Sequence, residues 1–143
     1  MYNRHLSCLF IVLLIIFHIS QAPTFANKVS FCWKFRVHII NALSHDNDNL
    51  IIHCYSLDDD LGEHNLRVGD EFTFKFGRHV ILTTRFWCDM KHGSDHSKTI
   101  DVFTENIGDK YCCHTNKCFW SIREDGFYFS NNNQSWVKWY DWS

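Results

Sequence analysis

The strongest constraint on the fold is a short segment, Glu71–Phe76, in which polar and aromatic residues alternate without interruption. Phe72, Phe74 and Phe76 fall on one side of an extended chain, and the polar residues between them fall on the other side. Strict alternation of this kind is typical of a β-strand with one buried and one solvated face. The fold must therefore contain a sheet that covers an apolar core with one of its faces.

Similar apolar or alternating runs, closed by polar or glycine-containing turns, occur along most of the chain, and no segment has the period of an amphipathic helix. The predicted strands are Val37–Leu43, Leu50–Tyr55, Glu71–Phe76, Val80–Cys88, Thr99–Glu105, Cys118–Arg123 and Phe127–Phe129, with Ser135–Trp142 as an edge strand or an ordered aromatic tail. Seven to eight short strands with turns at intervals of roughly ten residues predict an all-β fold, an antiparallel β-sandwich.

The N-terminus has the organisation of a secretory signal peptide. Arg4 supplies positive charge, Leu6–Ile19 is apolar, and Thr24 and Ala26 are small residues at the positions that signal peptidase reads. A membrane anchor is the alternative, but the apolar run is shorter than the ~20 residues that a span needs. We expect residues 1–26 to be removed, which leaves 143 − 26 = 117 residues as one secreted, extracellular domain (residues 27–143) with no membrane insertion.

Cys8 lies in the predicted signal peptide, so the mature domain keeps an even number of cysteines. An even number in a small secreted domain favours disulfides that staple a modest core, and many pairings are possible. A zinc site is not expected, because Cys113, His114 and Cys118 do not form two paired ligand clusters. The disulfide candidates are Cys32, Cys54, Cys88, Cys112, Cys113 and Cys118.

Three consecutive aspartates, Asp58–Asp60, follow the predicted strand Leu50–Tyr55. Calcium loops of the helix–loop–helix type alternate their ligands with spacers, whereas contiguous side chains diverge in an extended chain. A turn in which aspartate oxygens accept neighbouring backbone N–H groups explains the run more simply. We therefore favour a turn over a calcium site, and we expect no metal and no cofactor.

Charge and motif content argue against two functional classes. Without Arg4 the mature domain has 14 − 1 = 13 basic and 16 acidic residues, a net charge of 13 − 16 = −3, so nucleic acid is not an expected partner. Histidines are numerous, but none lies in the histidine-glycine-leucine-tryptophan motif of secreted plant ribonucleases, and no serine-hydrolase motif is present. We expect no enzymatic activity.

The C-terminal tail is rich in aromatic residues: Trp136, Trp139, Tyr140 and Trp142. Exposed aromatic side chains would mark a site for a partner or a glycan, whereas burial at the open end of the sandwich is the more frequent use of tryptophan. Asn133 begins an Asn-Gln-Ser sequence, which predicts N-glycosylation in a secreted chain.

Several motifs in a fixed order resemble those of the plant self-incompatibility S-protein family. The matching motifs are His-Cys-Tyr-Ser-Leu-Asp-Asp-Asp-Leu-Gly at His53–Gly62, then Leu66, Gly69, the alternating phenylalanines, Thr83–Cys88, Cys118–Trp120 and Asp125–Tyr128. The resemblance extends from about Val37 to Phe129. It implies a disulfide-bonded sandwich of two packed β-sheets.

The resemblance also carries an expectation for the disulfides. The family typically has four cysteines, which match Cys54, Cys88, Cys118 and one member of the Cys112–Cys113 doublet. The first three lie on the apolar faces of their predicted strands, and inward cysteines of facing sheets can meet across a core ~10 Å thick. We expect Cys54 to pair with Cys118 and Cys88 with a member of the doublet, while Cys32 bridges the other member.

The resemblance implies a secreted signalling ligand that binds a plant cell-surface receptor, with recognition or rejection of self pollen as its role. Sheets would serve as the frame and loops would carry specificity. We expect a monomer whose candidate recognition residues are Lys91, His92, Asp95 and His96. The loops considered are Ser44–Asn49, Gly62–Asn65, Asp89–Lys98 and Asn106–Asn116. A secreted defence or carbohydrate-binding module that uses the aromatic tail is the alternative.

Expression in plant cells tests the signal peptide. N-terminal sequencing of the secreted protein should begin at or near Asn27, because Thr24 and Ala26 are the small residues before the expected cleavage point. A chain that begins at Met1 and is recovered in the membrane pellet would contradict this prediction.

Overall fold

The computed structural model describes residues 11–15, 32–45 and 49–142. The predicted signal peptide lies outside the described residues, apart from one helical turn at residues 11–15, and its cleavage stays a prediction. Three residues of the predicted loop Ser44–Asn49 also lie outside them. Within the described ranges, no helix is long and apolar enough to cross a membrane.

Two β-sheets pack face to face, which confirms the all-β sandwich. The strands are β1 (Lys34–Asn41), β2 (Leu50–Tyr55), β3 (Asp60–Leu66), β4 (Glu71–Gly77), β5 (Arg85–His92), β6 (His96–Thr104), β7 (Lys117–Arg123), β8 (Gly126–Ser130) and β9 (Val137–Tyr140). The five-stranded sheet has the order β4-β1-β7-β8-β9, and the four-stranded sheet has the order β3-β2-β5-β6.

The five-stranded sheet is not purely antiparallel, because β1 and β7 run parallel. All other neighbouring strands are antiparallel. Between β1 and β7 the chain builds the four-stranded sheet and β4, and then returns beside β1 through a helical segment. That segment is a helical turn, α1 (Glu105–Ile107), followed by a π-helical turn at Gly108–Cys112, where the sequence predicted only a loop.

Two predictions of local structure were wrong. The segment Gly62–Asn65, predicted as a loop, lies inside the edge strand β3, because hydrogen bonding to β2 compensates for its poor strand composition. The strand predicted from Val80 begins only at Arg85, and Val80 and Leu82 are 79% and 54% exposed. The His79 side chain accepts the backbone N–H groups of residues 81 and 82, which holds this apolar stretch in a turn.

The core is aromatic and joins both sheets. Trp120 of β7 is fully buried, and its indole N–H donates to the backbone oxygen of Val102 in β6, at 2.9 Å, across the two layers. Phe74 and Phe76 of β4 pack on Phe86 of β5, with ring centroids 5.0 and 4.6 Å apart. Because the N–H of a buried tryptophan needs a hydrogen-bond partner, this bond also fixes the orientation of the Trp120 ring in the core.

The aromatic tail completes this core. Trp139 packs edge-on against Trp120 at 5.5 Å. Trp142 is only 8% exposed, and its indole N–H donates to the backbone oxygen of Arg123 at 2.8 Å. The tail therefore closes one end of the sandwich and does not present a row of exposed tryptophans.

All six cysteines of the described residues are in disulfides, but two expected pairs were wrong. The bridges are Cys32–Cys113, Cys54–Cys88 and Cys112–Cys118. Cys54 and Cys88 are directly opposed on neighbouring strands of one sheet, with Cα atoms 4.0 Å apart. A partner in the other sheet would lie ~10 Å away, so Cys54 pairs with Cys88 and not with Cys118. Cys32 does bridge to a member of the doublet, Cys113.

The three bridges should differ in their contribution to stability. They join residues 81, 34 and 6 positions apart, and the entropy that a bridge removes from the unfolded chain grows with loop length. Pairwise replacement by alanine should cost about 4.5 kcal/mol for Cys32–Cys113, about 3.8 for Cys54–Cys88 and about 2.2 for Cys112–Cys118, measured by denaturant unfolding. A greater loss on removing Cys112–Cys118 than on removing either other bridge would contradict this order.

Candidate functional site

The outer face of the four-stranded sheet carries an organised set of polar and aromatic side chains. We call it the Trp87 face. Its members are His53 and Tyr55 of β2, Arg85, Trp87, Asp89 and Lys91 of β5, and Thr99 and Asp101 of β6. Successive residues of a strand point to opposite faces, so these side chains lie opposite the buried Cys54, Cys88 and Met90.

The register of this face is fixed from beneath by the disulfide Cys54–Cys88. On the outer side, the pairs His53–Asp89 and Tyr55–Trp87 flank the bridged pair directly. A slip of one residue would turn every side chain of β5 to the opposite face. The covalent bond between β2 and β5 therefore holds the outer pairs opposite each other.

Tyr55, Asp89 and Thr99 form a hydrogen-bonded network in the middle of the face. The Tyr55 hydroxyl donates to one carboxylate oxygen of Asp89 at 3.0 Å, and the Thr99 hydroxyl donates to the other. Burial, followed by the hydrogen bond to Asp89, raises the pKa of Tyr55. The phenol therefore stays protonated and oriented, and both oxygens of Asp89 are engaged.

Trp87 is half-buried between this network and an ion pair. Its ring centroid is 4.9 Å from that of Tyr55, in an edge-on arrangement. On the other side, the Arg85 guanidinium carbon lies 5.4 Å from the indole centroid. Arg85 also donates two hydrogen bonds to Asp101, at 2.7 and 3.1 Å, and these raise the pKa of its guanidinium. The indole is thereby held in place from both sides.

The aspartate run closes one end of the face as a turn, as predicted, although the details differ. The Ser56 hydroxyl oxygen accepts the backbone N–H groups of Asp58 and Asp59, while Asp60 accepts the N–H of Gly62 at 2.9 Å. Among the described residues, no group of three or more histidine, cysteine or acidic side chains is placed to hold a metal ion.

Asp60 also binds His53, whose Nε2 lies 2.6 Å from its carboxylate oxygen. The hydrogen bond to Asp60 is the main cause that raises the pKa of His53. The Gly62 N–H, and then His53, lower the pKa of Asp60. The pair joins β2 to the edge strand β3, and it can be fully charged over a pH range that includes mildly acidic conditions.

Two shallow grooves flank Tyr55 and Trp87. One, of about 450 Å³, lies between His53, Tyr55, Asp89 and the aspartate turn. The other, of about 280 Å³, lies between Arg85, Trp87, Thr99 and Asp101. Both are open to solvent and present carboxylates next to an aromatic ring, an arrangement suited to contact with a partner surface.

The predicted recognition residues lie at the far end of this sheet, in a β-hairpin and not in a long loop. Residues 89–92 belong to β5, residues 96–98 belong to β6, and the turn includes Gly93 with a φ of +61°. Lys91, Asp95 and His96 are exposed, and Lys91 continues the Trp87 face.

The placement of His92 among exposed recognition residues was wrong. Its side chain lies on the inner side with Cys88 and Met90, and the residue is 9% exposed. Its ring stacks on His96 at 4.5 Å and meets Trp142 edge-on at 5.0 Å. His92 is a packing residue at the end of the core.

The sequence did contain a signal for the residues that this prediction missed. Arg85, Trp87, Asp89 and Lys91 alternate with the inward Phe86, Cys88 and Met90. The alternation identifies an outer face, but the partners Tyr55, Thr99 and Asp101 come from strands that only the sheet order brings together. Asn133 lies in an exposed turn before β9, in the other sheet, and its glycosylation stays a prediction.

The sequence profile described as plant self-incompatibility protein S1 matches residues 36–142, which include all of the Trp87 face. The chain belongs to this family. It is 33% identical over 99 residues to S-protein homolog 1 of Arabidopsis thaliana, a match that covers 69% of this chain and 64% of that relative. It is 31% identical over 140 residues to S-protein homolog 9 of the same plant, with 98% of each chain covered.

A solved structure supports the fold. The chain is similar to a structure described as that of self-incompatibility protein homologues, a widespread family of small, highly stable, secreted proteins from plants. The TM-score is 0.58 and the sequence identity is 18%, with 78% of this chain and 96% of that chain covered. The family that the sequence motifs suggested is confirmed.

The His53–Asp60 pair gives a prediction with a defined pH sign. Because the folded-state pKa of His53 is raised, its contribution to stability is complete below about 6.5, the value of free histidine, and is lost as pH rises through the folded-state pKa. Because the pKa of Asp60 is lowered, its contribution is lost only in stronger acid, as pH falls through that lower value.

NMR titration should therefore give His53 a pKa above about 6.5, and Asp60→Asn should lower it. Asp60→Asn should also destabilise the protein more at pH 5.5 than at pH 8. An unchanged His53 titration in the variant would show that the pair does not form in solution.

Proposed function

We propose that this protein is a secreted extracellular ligand that binds a plant cell-surface receptor through the Trp87 face, and that it acts as a ligand and not as an enzyme. Recognition or rejection of self pollen is the specific form of this role that the family name suggests. The predicted signal peptide and the three disulfides support secretion, because disulfides persist in oxidising compartments.

The observation that carries the proposal is the preorganisation of the Trp87 face. Tyr55, Asp89 and Thr99 are already hydrogen-bonded to one another, and Trp87 is held between Tyr55 and Arg85. Binding costs less when side chains do not have to be ordered on contact. Tryptophan, tyrosine and arginine are also the residues most often dominant in protein interfaces.

The chemistry of the same residues favours binding over catalysis. A general base needs a lone pair directed at a substrate proton. Both oxygens of Asp89 instead accept hydrogen bonds from the Tyr55 and Thr99 hydroxyl groups, which orient the carboxylate within the network. Both oxygens of Asp101 likewise accept hydrogen bonds, from two nitrogens of the Arg85 guanidinium. The alternative of a carbohydrate-binding module that uses the tail has less support, because Trp139 and Trp142 pack into the core.

A single tryptophan substitution tests the proposal. Trp87→Ala should weaken binding of the labelled protein to a plant membrane fraction by about 30-fold, the loss that a central interface aromatic residue causes. Trp136→Ala is the matched control: Trp136 is also half-exposed beside an arginine, but it precedes β9 of the other sheet. The control should bind within about twofold of wild type.

Equal binding by Trp87→Ala and wild type, with unchanged thermal unfolding, would show that the receptor does not use this face. Turnover of RNA, glycans or esters that is lost on changing one histidine would contradict the ligand role itself.

A further inference from the structure

The outer side of the five-stranded sheet has a feature that receptor binding by the Trp87 face does not explain. Arg36 of β1 is directly opposite Lys75 of β4 on one side and Lys117 of β7 on the other. We call these three residues the Arg36 row. Lys34 lies two residues before Arg36, on the same face of β1.

Three like charges directly opposite each other destabilise a sheet. In the described part of the chain, none of the three forms an ion pair with a carboxylate. The nearby Glu71 instead accepts hydrogen bonds from His38 and Thr73. The formal net charge of the chain is −2, so the row is a local concentration of positive charge on an acidic protein.

The row lines a groove with a volume of about 600 Å³. Lys34, Arg36, Lys75 and Lys117 share its lining with Thr115 and Asn116, and no described lining residue is acidic. Gly77, which is opposite Lys34, contributes no side chain and leaves the groove open at that end.

Two disulfides and a turn hold the groove in shape. Cys32–Cys113 fixes the chain just before Lys34, and Cys112–Cys118 fixes the chain beside Lys117. The backbone oxygen of Asn116 accepts the N–H of Arg36 at 2.9 Å. The cations are therefore presented on a rigid backbone, and no carboxylate of the described residues forms an ion pair with them.

We propose that the Arg36 row is a binding site for a linear acidic polysaccharide. Adjacent strands lie ~4.8 Å apart, so the row presents positive charge at intervals of about 5 Å across three strands. A polymer with a carboxylate or sulfate on each sugar can meet several of these charges at once, and arginine binds such groups with two parallel hydrogen bonds.

The groove fits a sugar polymer better than a lipid surface. Asn116 offers a side-chain amide to sugar hydroxyl groups, whereas the Thr115 hydroxyl already donates to the backbone oxygen of Asn131 at 2.8 Å. Phe35 beneath the row is only 2% exposed, and none of the groove's described lining residues is an exposed large hydrophobic side chain. A membrane is flat and gains from inserted apolar side chains. The choice of a polysaccharide over a nucleic acid rests on the proposed secretion.

Purified secreted protein should bind polygalacturonate, and should not bind its fully methyl-esterified form, which has the same backbone without the charge. Raising the salt concentration from 50 to 200 mM should weaken binding, because the contacts are ionic. The triple variant Arg36→Gln, Lys75→Gln, Lys117→Gln should bind at least about tenfold more weakly.

A charge-matched control is available in the same chain. The variant Arg67→Gln, Lys98→Gln, Lys110→Gln also removes three positive charges, but none of these residues lines the groove. It should bind polygalacturonate like wild type, as should Trp87→Ala. The loss of polymer binding in the Arg36-row variant can therefore be distinguished from the loss of receptor binding in Trp87→Ala.

Lysine acetylation of the wild-type protein keeps the test decisive if the triple variant does not fold. Polygalacturonate should protect Lys34, Lys75 and Lys117, and should leave Lys91 and Lys98 reactive. Equal losses in the two triple variants, or no selective protection, would overturn the site. Tighter binding to RNA or to phosphatidylserine vesicles than to polygalacturonate would overturn the assignment to polysaccharide.

Discussion

The disulfide between Cys54 and Cys88 is the constraint on which both sides of the four-stranded sheet depend. On the inner side it places two sulfurs in the core, where both residues are fully buried. On the outer side it holds His53 opposite Asp89 and Tyr55 opposite Trp87. Because strand register decides which face every side chain occupies, one covalent bond fixes both the packing of the core and the geometry of the Trp87 face.

The two sheets carry opposite chemistry on one rigid frame. The Trp87 face presents aromatic rings and carboxylates that are already bound to one another, whereas the Arg36 row presents cations that no described carboxylate pairs. The layers are joined through the aromatic core and the hydrogen bond from Trp120 to Val102. Each surface can therefore change without altering the other, as long as the core between them is preserved. The two proposals together assign receptor contact to one sheet and polymer binding to the other.

Sequence periodicity predicted those strands in which the alternation of apolar and polar residues matches the buried and exposed faces. The boundaries of Leu50–Tyr55 were confirmed, and Glu71–Phe76 differs from β4 only by Gly77. The edge strand β3 was missed because Gly62 and its polar neighbours form a strand only through pairing with β2. Val80–Leu82 was placed in a strand because its composition is apolar, although side-chain hydrogen bonds hold it in an exposed turn. The burial of His92 follows from the alternation of β5, which continues into the hairpin.

The disulfide pairs and the Trp87 face could not be predicted in the same way, because both depend on which strands become neighbours. The alternation of inward and outward side chains along each strand identified Cys54, Cys88 and Cys118 as core residues. This alternation does not distinguish a disulfide partner on the next strand from one in the facing sheet. Hydroxyl-radical footprinting of the protein on receptor-bearing membranes tests whether the Trp87 face is the surface that binds the receptor. If the Trp87 face binds the receptor, Tyr55 and Trp87 become protected, while Tyr128 of the other sheet and Trp136, just before β9, remain reactive. Protection of Tyr128 and Trp136 alone would contradict it.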